Sequence, residues 1–176
     1  MAWHRTRTDT GSGVQPAADL DAMAQGCAAA LEIRGVLVTV VEGDRQRVLG
    51  AHGLPAHVRR GTTLVPANPS CRVVAATGKP RLVQDGRARH VDDPARLGAV
   101  AYAGLPVVAP VFGGSPIVLA AIDSAPRAWC ERDVGVLRGF ATGAAAALDN
   151  HALHRRCEEF RLALGVIMFQ ASYMTV

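Results

Sequence analysis

The sequence has few of the features that stabilise small secreted proteins. Its 176 residues contain four cysteines, at positions 27, 71, 130 and 157, and none shows the paired spacing of a zinc site or a redox motif. No basic, apolar and small-residue pattern opens the chain, so we expect a cytoplasmic protein with free thiols. With 49% hydrophobic and 19% charged residues, the chain can bury a core without disulfides or metals.

Uninterrupted apolar runs are missing as well. The uncharged segment 97–122 is long enough for a membrane helix, but three prolines and a Gly-Gly pair interrupt it. We therefore expect no membrane-spanning helix.

Lysine is almost absent, since 18 of the 19 basic residues are arginine and the net charge is +4. The arginines are scattered apart from the pairs Arg59-Arg60 and Arg155-Arg156. A nucleic-acid footprint is a clustered basic stripe, so the charge by itself does not indicate nucleic-acid binding.

Catalytic signatures are absent too. The sequence contains no Gly-x-Ser-x-Gly, no His-Glu-x-x-His, no P-loop and no Gly-rich dinucleotide turn. We therefore assign no catalytic residues, no metal ligands and no cofactor, and we expect a protein that is not an enzyme.

Apolar periodicity and turn residues predict an α+β fold in which antiparallel hairpins are flanked by helices. The predicted strands are residues 35–42, 47–52, 82–83, 104–111 and 116–123. The predicted helices are residues 16–33, residues 68–77, and a long helix from residue 131 to at least residue 169. Asn68 is the expected N-cap of the second helix, and Gly78 its stop.

Three segments resemble GAF domains in their order and spacing. Residues 68–85 read NPSCRVVAATGKPRLVQD, a helix ending in Gly-x-Pro before a short strand and an Asp. Residues 100–106 read VAYAGLP, and residues 119–129 read LAAIDSAPRAW. The resemblance covers about residues 17–155 and is closest to bacterial, actinobacterial GAF modules attached to histidine kinases, phosphatases and regulators.

The resemblance implies a six-stranded antiparallel sheet with the terminal helices on one face and a small-molecule pocket on the other. It also implies dimerisation through the terminal helices. We expect residues 1–15, which are polar and rich in Gly and Thr, to be a disordered tail, residues 16–155 to be the GAF domain, and residues 156–176 to be a C-terminal helix or the start of an ANTAR-like output domain. A heptad-like stripe on the long helix supplies the expected dimer interface, at Leu137, Ala141, Ala144 and Leu148.

The pocket positions implied by the resemblance are Cys71, Val74, Asp85, His90, Tyr102 and Leu105. Two interpretations stay open for several of them. Cys71 is either a thiol activated by the helix N-terminus or an inert buried side chain. Tyr102 either contacts a ligand or packs in the core, and His90 is either a ligand contact or a solvated loop residue.

The last residues, 162–176, read LALGVIMFQASYMTV and resemble the opening of ANTAR domains, which are RNA-binding antiterminators. An amphipathic helix that docks on the sheet or on a partner is the alternative. Three functions therefore stay open: a sensory module that binds a small molecule and signals through a helical dimer, an RNA-binding antiterminator, and a thiol redox enzyme that uses Cys71.

Overall fold

A six-stranded antiparallel sheet forms the centre of the computed structural model, which describes residues 17–87, 97 and 99–173. The strands are β1 Gly35–Glu42, β2 Arg45–His52, β3 Thr63–Leu64, β4 Arg81–Val83, β5 Ala101–Val107 and β6 Ile117–Asp123. The helices are α1 Ala17–Leu31, α2 Pro69–Thr77 and α3 Glu131–Tyr173. The strand order across the sheet is β3-β2-β1-β6-β5-β4. The α+β prediction is confirmed.

Strand β1 lies in the middle of the sheet, between β2 and β6. Its side chains alternate between two buried layers: Val36 and Val38 face α1 and α3, and Leu37 and Val41 face the side of α2. Because both faces are covered, the strand is a continuous apolar run rather than an alternating one.

The terminal helices cover the same face of the sheet. Leu20 of α1 lies so close to β2 that a Cβ on Gly50 would come within 2.6 Å of the Leu20 Cβ. A glycine is required there because any side chain would push the helix off the strand. Leu137 and Leu148 of α3 belong to the same buried layer. The predicted placement of both terminal helices on one face is confirmed.

Helix α2 packs on the opposite face, and its ends follow the predicted capping. Asn68 Oδ1 accepts hydrogen bonds from the backbone N–H groups of Ser70, at 2.9 Å, and Cys71, at 3.3 Å. Gly78 ends the helix in a left-handed conformation with φ of 62°.

The connector into α3 is attached to the sheet edge by Trp129, whose Nε1 donates to the backbone oxygen of Val83 at 3.1 Å. Arg127 lies 5.2 Å from the centre of the Trp129 ring and forms an ion pair with Asp133 at 3.3 Å. The backbone N–H of Cys130 donates to Asp133 Oδ2, which caps the first turn of α3.

Strand β5 differs most from the prediction, whereas α1, β2, β4 and β6 differ from it by one or two residues at an end. Strand β5 begins at Ala101 rather than at residue 104 and ends at Val107 rather than at residue 111. The earlier start follows from pairing on both sides, because Tyr102 lies opposite Val83 of β4 and Ile122 of β6. Strand β3 was not predicted, since two residues carry no periodic signal. The predicted disordered tail, residues 1–15, lies outside the described residues.

No helix among the described residues is both long and apolar enough to cross a membrane.

Candidate functional site

A buried polar cluster joins α2 to the sheet on the face opposite the terminal helices. Cys71 comes from the first turn of α2, Gln46 from β2 and Tyr102 from β5, and all three side chains are fully buried. The Tyr102 hydroxyl donates to the Cys71 sulfur at 3.4 Å, and Gln46 Nε2 donates to the same sulfur at 3.5 Å. The thiol sulfur therefore accepts two hydrogen bonds beside a mainly apolar layer.

Gln46 was not predicted as a site residue, yet it connects two elements. Its Oε1 accepts the backbone N–H of Asn68 at 2.8 Å, so one amide side chain binds both the cap of α2 and the Cys71 sulfur. A sequence signal was present, because Gln46 is two residues from Val48 and therefore shares its buried face. A buried amide of this kind stabilises the fold only while all its partners are in place.

Burial determines the pKa of the Cys71 thiol. Desolvation raises the pKa of Cys71 to about 11, against the smaller lowering by the hydrogen bonds from Tyr102 and Gln46. Burial, together with the neighbouring thiol, also raises the pKa of Tyr102. Because both groups keep their protons at neutral pH, Cys71 has almost no nucleophilic thiolate. Cys71 is thus buried with a raised pKa, whereas a thiol activated by the helix N-terminus would have a lowered one; that the side chain is inert stays a prediction.

The Tyr102 ring lies along its own strand, over Gly104. A Cβ on Gly104 would come within 2.7 Å of the Tyr102 Cζ, so the ring needs a glycine beneath it. The Gly-x-Pro segment of β5 therefore has a structural reason in this chain.

The remaining predicted pocket residues lie in different places. Val74 shares the buried layer with Cys71 and Tyr102. Asp85 follows β4 and accepts bonds from the backbone N–H and the guanidinium of Arg87. His90 lies outside the described residues. The prediction that Leu105 lines the pocket is wrong. Leu105 is buried in the layer of α1 and α3, because residues at odd positions of β5 point to the face opposite Tyr102.

The predicted position of the dimer interface is also wrong. All four of its positions are buried in this chain's own core, against the sheet and α1: Leu137, Ala141, Ala144 and Leu148. A helix that covers a sheet and a helix that pairs with a copy of itself show the same apolar stripe, so the spacing alone did not separate the two cases.

The second half of α3 carries a different apolar seam. Every side chain from Leu153 to Met168 is exposed, because the helix continues past the sheet. Five of these residues are separated by alternate steps of four and three, which is the spacing of a coiled-coil seam: Leu153, Cys157, Phe160, Leu164 and Ile167. This seam was present in the sequence and was missed in favour of the stripe nearer the start of the helix.

No group of three potential metal-ligating side chains is found within the described ranges. The two histidines on α3 are separate: His151 is partly buried, and His154 is exposed with its Nδ1 2.8 Å from the Asn150 backbone oxygen.

The family model for GAF domains matches residues 17–149, which include the whole sheet, α1, α2 and the buried part of α3. The chain belongs to the GAF family. Comparison with curated protein sequences finds no match.

Solved GAF domains are similar in structure. The GAF domain of an Acinetobacter phosphoenolpyruvate-protein phosphotransferase has a TM-score of 0.64 at 16% identity, covering 82% of this chain and 89% of that one. The phycocyanobilin-bound GAF domain of a cyanobacterial phytochrome has a TM-score of 0.64 at 14% identity, covering 80% and 88%. The GAF-B domain of DevS from Mycobacterium smegmatis has a TM-score of 0.64 at 19% identity, covering 81% and 99%. At these identities the likeness shows the fold.

Proposed function

We propose that this GAF protein is a non-enzymatic sensory module that binds a small molecule and passes the signal through α3 to an output domain. The observation that carries the proposal is the continuity of α3. One helix of 43 residues begins in the core of the GAF domain and continues beyond it. A displacement of its buried half is therefore transmitted to its exposed half without a flexible joint.

The exposed part of α3 is long enough to act on a neighbouring domain. From Leu153 to Met168 the helix extends about 24 Å at roughly 1.5 Å per residue. Phe160 and Ile167 are 67% and 59% exposed in the single chain, which is unusual for side chains of this size.

A second copy of this chain is the proposed occupant of the seam. Two α3 helices packed in parallel would bury Leu153, Phe160 and Ile167 against their own copies and would place Cys157 opposite Cys157 of the second copy. The homodimer is thus assigned to the exposed half of α3, in place of the stripe that packs on the sheet.

The test is oxidative cross-linking of the full chain through its own thiol. Mild oxidation should give a disulfide-linked dimer that persists in Cys130→Ser and is lost in Cys157→Ser; both cysteines are exposed in the single chain, so Cys130 is the matched control. Phe160→Glu should make the protein monomeric in analytical ultracentrifugation. A chain that stays monomeric at tens of micromolar, or cross-links through Cys130 alone, would contradict the dimer.

The small molecule is proposed to bind on the α2 side of the sheet, where Cys71, Val74 and Tyr102 lie together. Asp85 and His90 are further proposed contacts. The support is that a GAF domain of the same fold holds phycocyanobilin, so this scaffold accommodates a small molecule. No thiol chemistry is proposed at the two buried cysteines, because burial raises the pKa of Cys27 to about 12 and that of Cys71 to about 11.

An RNA-binding output is the second proposal, from the resemblance of residues 162–176 to ANTAR domains. Within this segment α3 continues as a helix to Tyr173, as an ANTAR opening requires. If this proposal holds, the natural full-length protein binds RNA with an affinity that falls steeply as salt rises. Affinity that is absent, or insensitive to salt, would count against it.

A further inference from the structure

A cleft of about 490 Å³ opens where α3 leaves the sheet, on the side of the terminal helices. Its walls are α3 from Leu148 to Glu159, the middle of β2, and the turn that connects β5 to β6. The buried cluster around Cys71 lies on the other face of the sheet, so this cleft is separate from the site described above.

Positive charge dominates the cleft. Four arginines from three parts of the chain line it, against a single carboxylate, that of Glu159: Arg47, Arg60, Arg155 and Arg156. Arg60 is partly neutralised by Asp21 at 3.4 Å. Within the described residues, Arg47 and Arg155 have no carboxylate within ion-pair distance. Like charges held in one concave site repel each other unless an anion enters.

Apart from Ser115 and His151, the rest of the lining is apolar. Leu20, Leu49 and Phe112 contribute hydrocarbon surface to the cleft beside the guanidinium groups. A ligand that pairs with the arginines and also covers the apolar lining needs an anionic group and an apolar body. The volume of the cleft is within the range of roughly 300–1,000 Å³ typical of small-molecule sites.

The wall formed by the β5–β6 turn is fixed to α3. Asp149 Oδ1 accepts the backbone N–H groups of Val111 at 2.8 Å and Phe112 at 3.0 Å. Arg156 Nη2 donates to the Val111 backbone oxygen at 3.4 Å. Because the turn and the helix are held together, the cleft is formed before any ligand enters, which lowers the entropic cost of binding.

We propose that this cleft binds a small molecule that carries a phosphate group on an apolar body. The planar guanidinium groups of Arg47 and Arg155 can each bind two phosphate oxygens, and Arg60 and Arg156 add positive charge to the cleft. The binding site is independent of a ligand on the α2 side. It also lies away from the seam through Leu153 and Phe160, so both can be occupied together.

His151 is an internal reporter for this site, because it lines the cleft. Burial, followed by the charges of Arg155 and His154, lowers its pKa. A phosphate beside Arg155 would offset that positive charge and raise the pKa of His151.

The test is calorimetric titration of the full chain with phenyl phosphate, inorganic phosphate, benzoate and phenol. Phenyl phosphate should bind saturably and more tightly than inorganic phosphate, phenol should show no binding, and salt should weaken the interaction. Arg47→Gln and Arg155→Gln should each weaken phenyl phosphate binding by roughly tenfold or more. Arg138→Gln, which removes the same charge from an exposed position of α3 outside the cleft, should leave it unchanged.

Nuclear magnetic resonance titration of His151 gives a second readout that does not depend on the heat of binding. Its pKa should rise when phenyl phosphate is present and should not respond to phenol. Absence of saturable binding, an equal loss in Arg138→Gln and Arg155→Gln, or tighter binding of benzoate than of phenyl phosphate would each overturn the proposal.

Discussion

The division of α3 into a buried half and an exposed half predicts that the same substitution is costly at one position and nearly neutral at another. Leu137 is fully buried between α3 and the sheet, whereas Leu164 is 46% exposed. Leu137→Ala removes side-chain carbons from a packed layer and leaves a cavity, so the free energy of unfolding should fall by about 2–5 kcal/mol. Leu164→Ala should change it by less than about 0.5 kcal/mol in the monomer.

The comparison is matched because both positions are in one helix and both variants replace leucine by alanine, so helix propensity cancels. Urea denaturation followed by circular dichroism gives both values, at a protein concentration low enough for the chain to be monomeric. At higher concentration the wild type and Leu137→Ala should gain stability from dimerisation, and Leu164→Ala should gain less. Equal losses at both positions in the monomer, or a stable Leu137→Ala variant, would refute the division.

Three further outcomes are expected. Gly104→Ala should destabilise the fold by about 1–3 kcal/mol, because its Cβ meets the ring of Tyr102, and in a Tyr102→Ala background the same change should cost much less; an unchanged cost in that background would exclude the ring as the cause. In dilute neutral solution, mass spectrometry after iodoacetamide treatment should find Cys157 modified at least about 100-fold faster than Cys71, which is buried with a pKa of about 11; similar rates would contradict the buried cluster. Burial alone would raise the pKa of Asp133, but its hydrogen bonds with Arg127 and Cys130 lower it overall. The wild type should therefore be more stable than Asp133→Asn at neutral pH, and this difference should shrink as pH falls below about 4. A difference that does not depend on pH would contradict the ion pair between Asp133 and Arg127.

Local signals in the sequence predicted most of the secondary structure. Asn68 and Gly78 mark the ends of α2 because capping and left-handed geometry depend on the residues at the helix ends themselves. The short strand β4 was also predicted at residues 82–83 and is found at Arg81–Val83.

Packing partners were harder to predict than elements. The spacing around Leu137 and Ala144 indicates a helix with one apolar face, and it carries no information on whether a sheet or a second helix covers that face. Leu105 was misplaced because β5 was predicted to start at residue 104, which left Tyr102 outside the strand. In the actual strand, alternation places Leu105 on the face opposite Tyr102. Gln46 was missed because the strand was predicted to begin at residue 47, which left Gln46 outside the alternation that places it on the buried face with Val48.

A small molecule and a second copy of the chain are proposed to act together through α3. Native mass spectrometry of the protein purified from its own host, compared with the denatured mass, tests both parts at once. We expect a dimer with excess mass that is lost on denaturation, and Phe160→Glu should abolish the dimer. A monomer without excess mass at micromolar concentration would contradict both proposals.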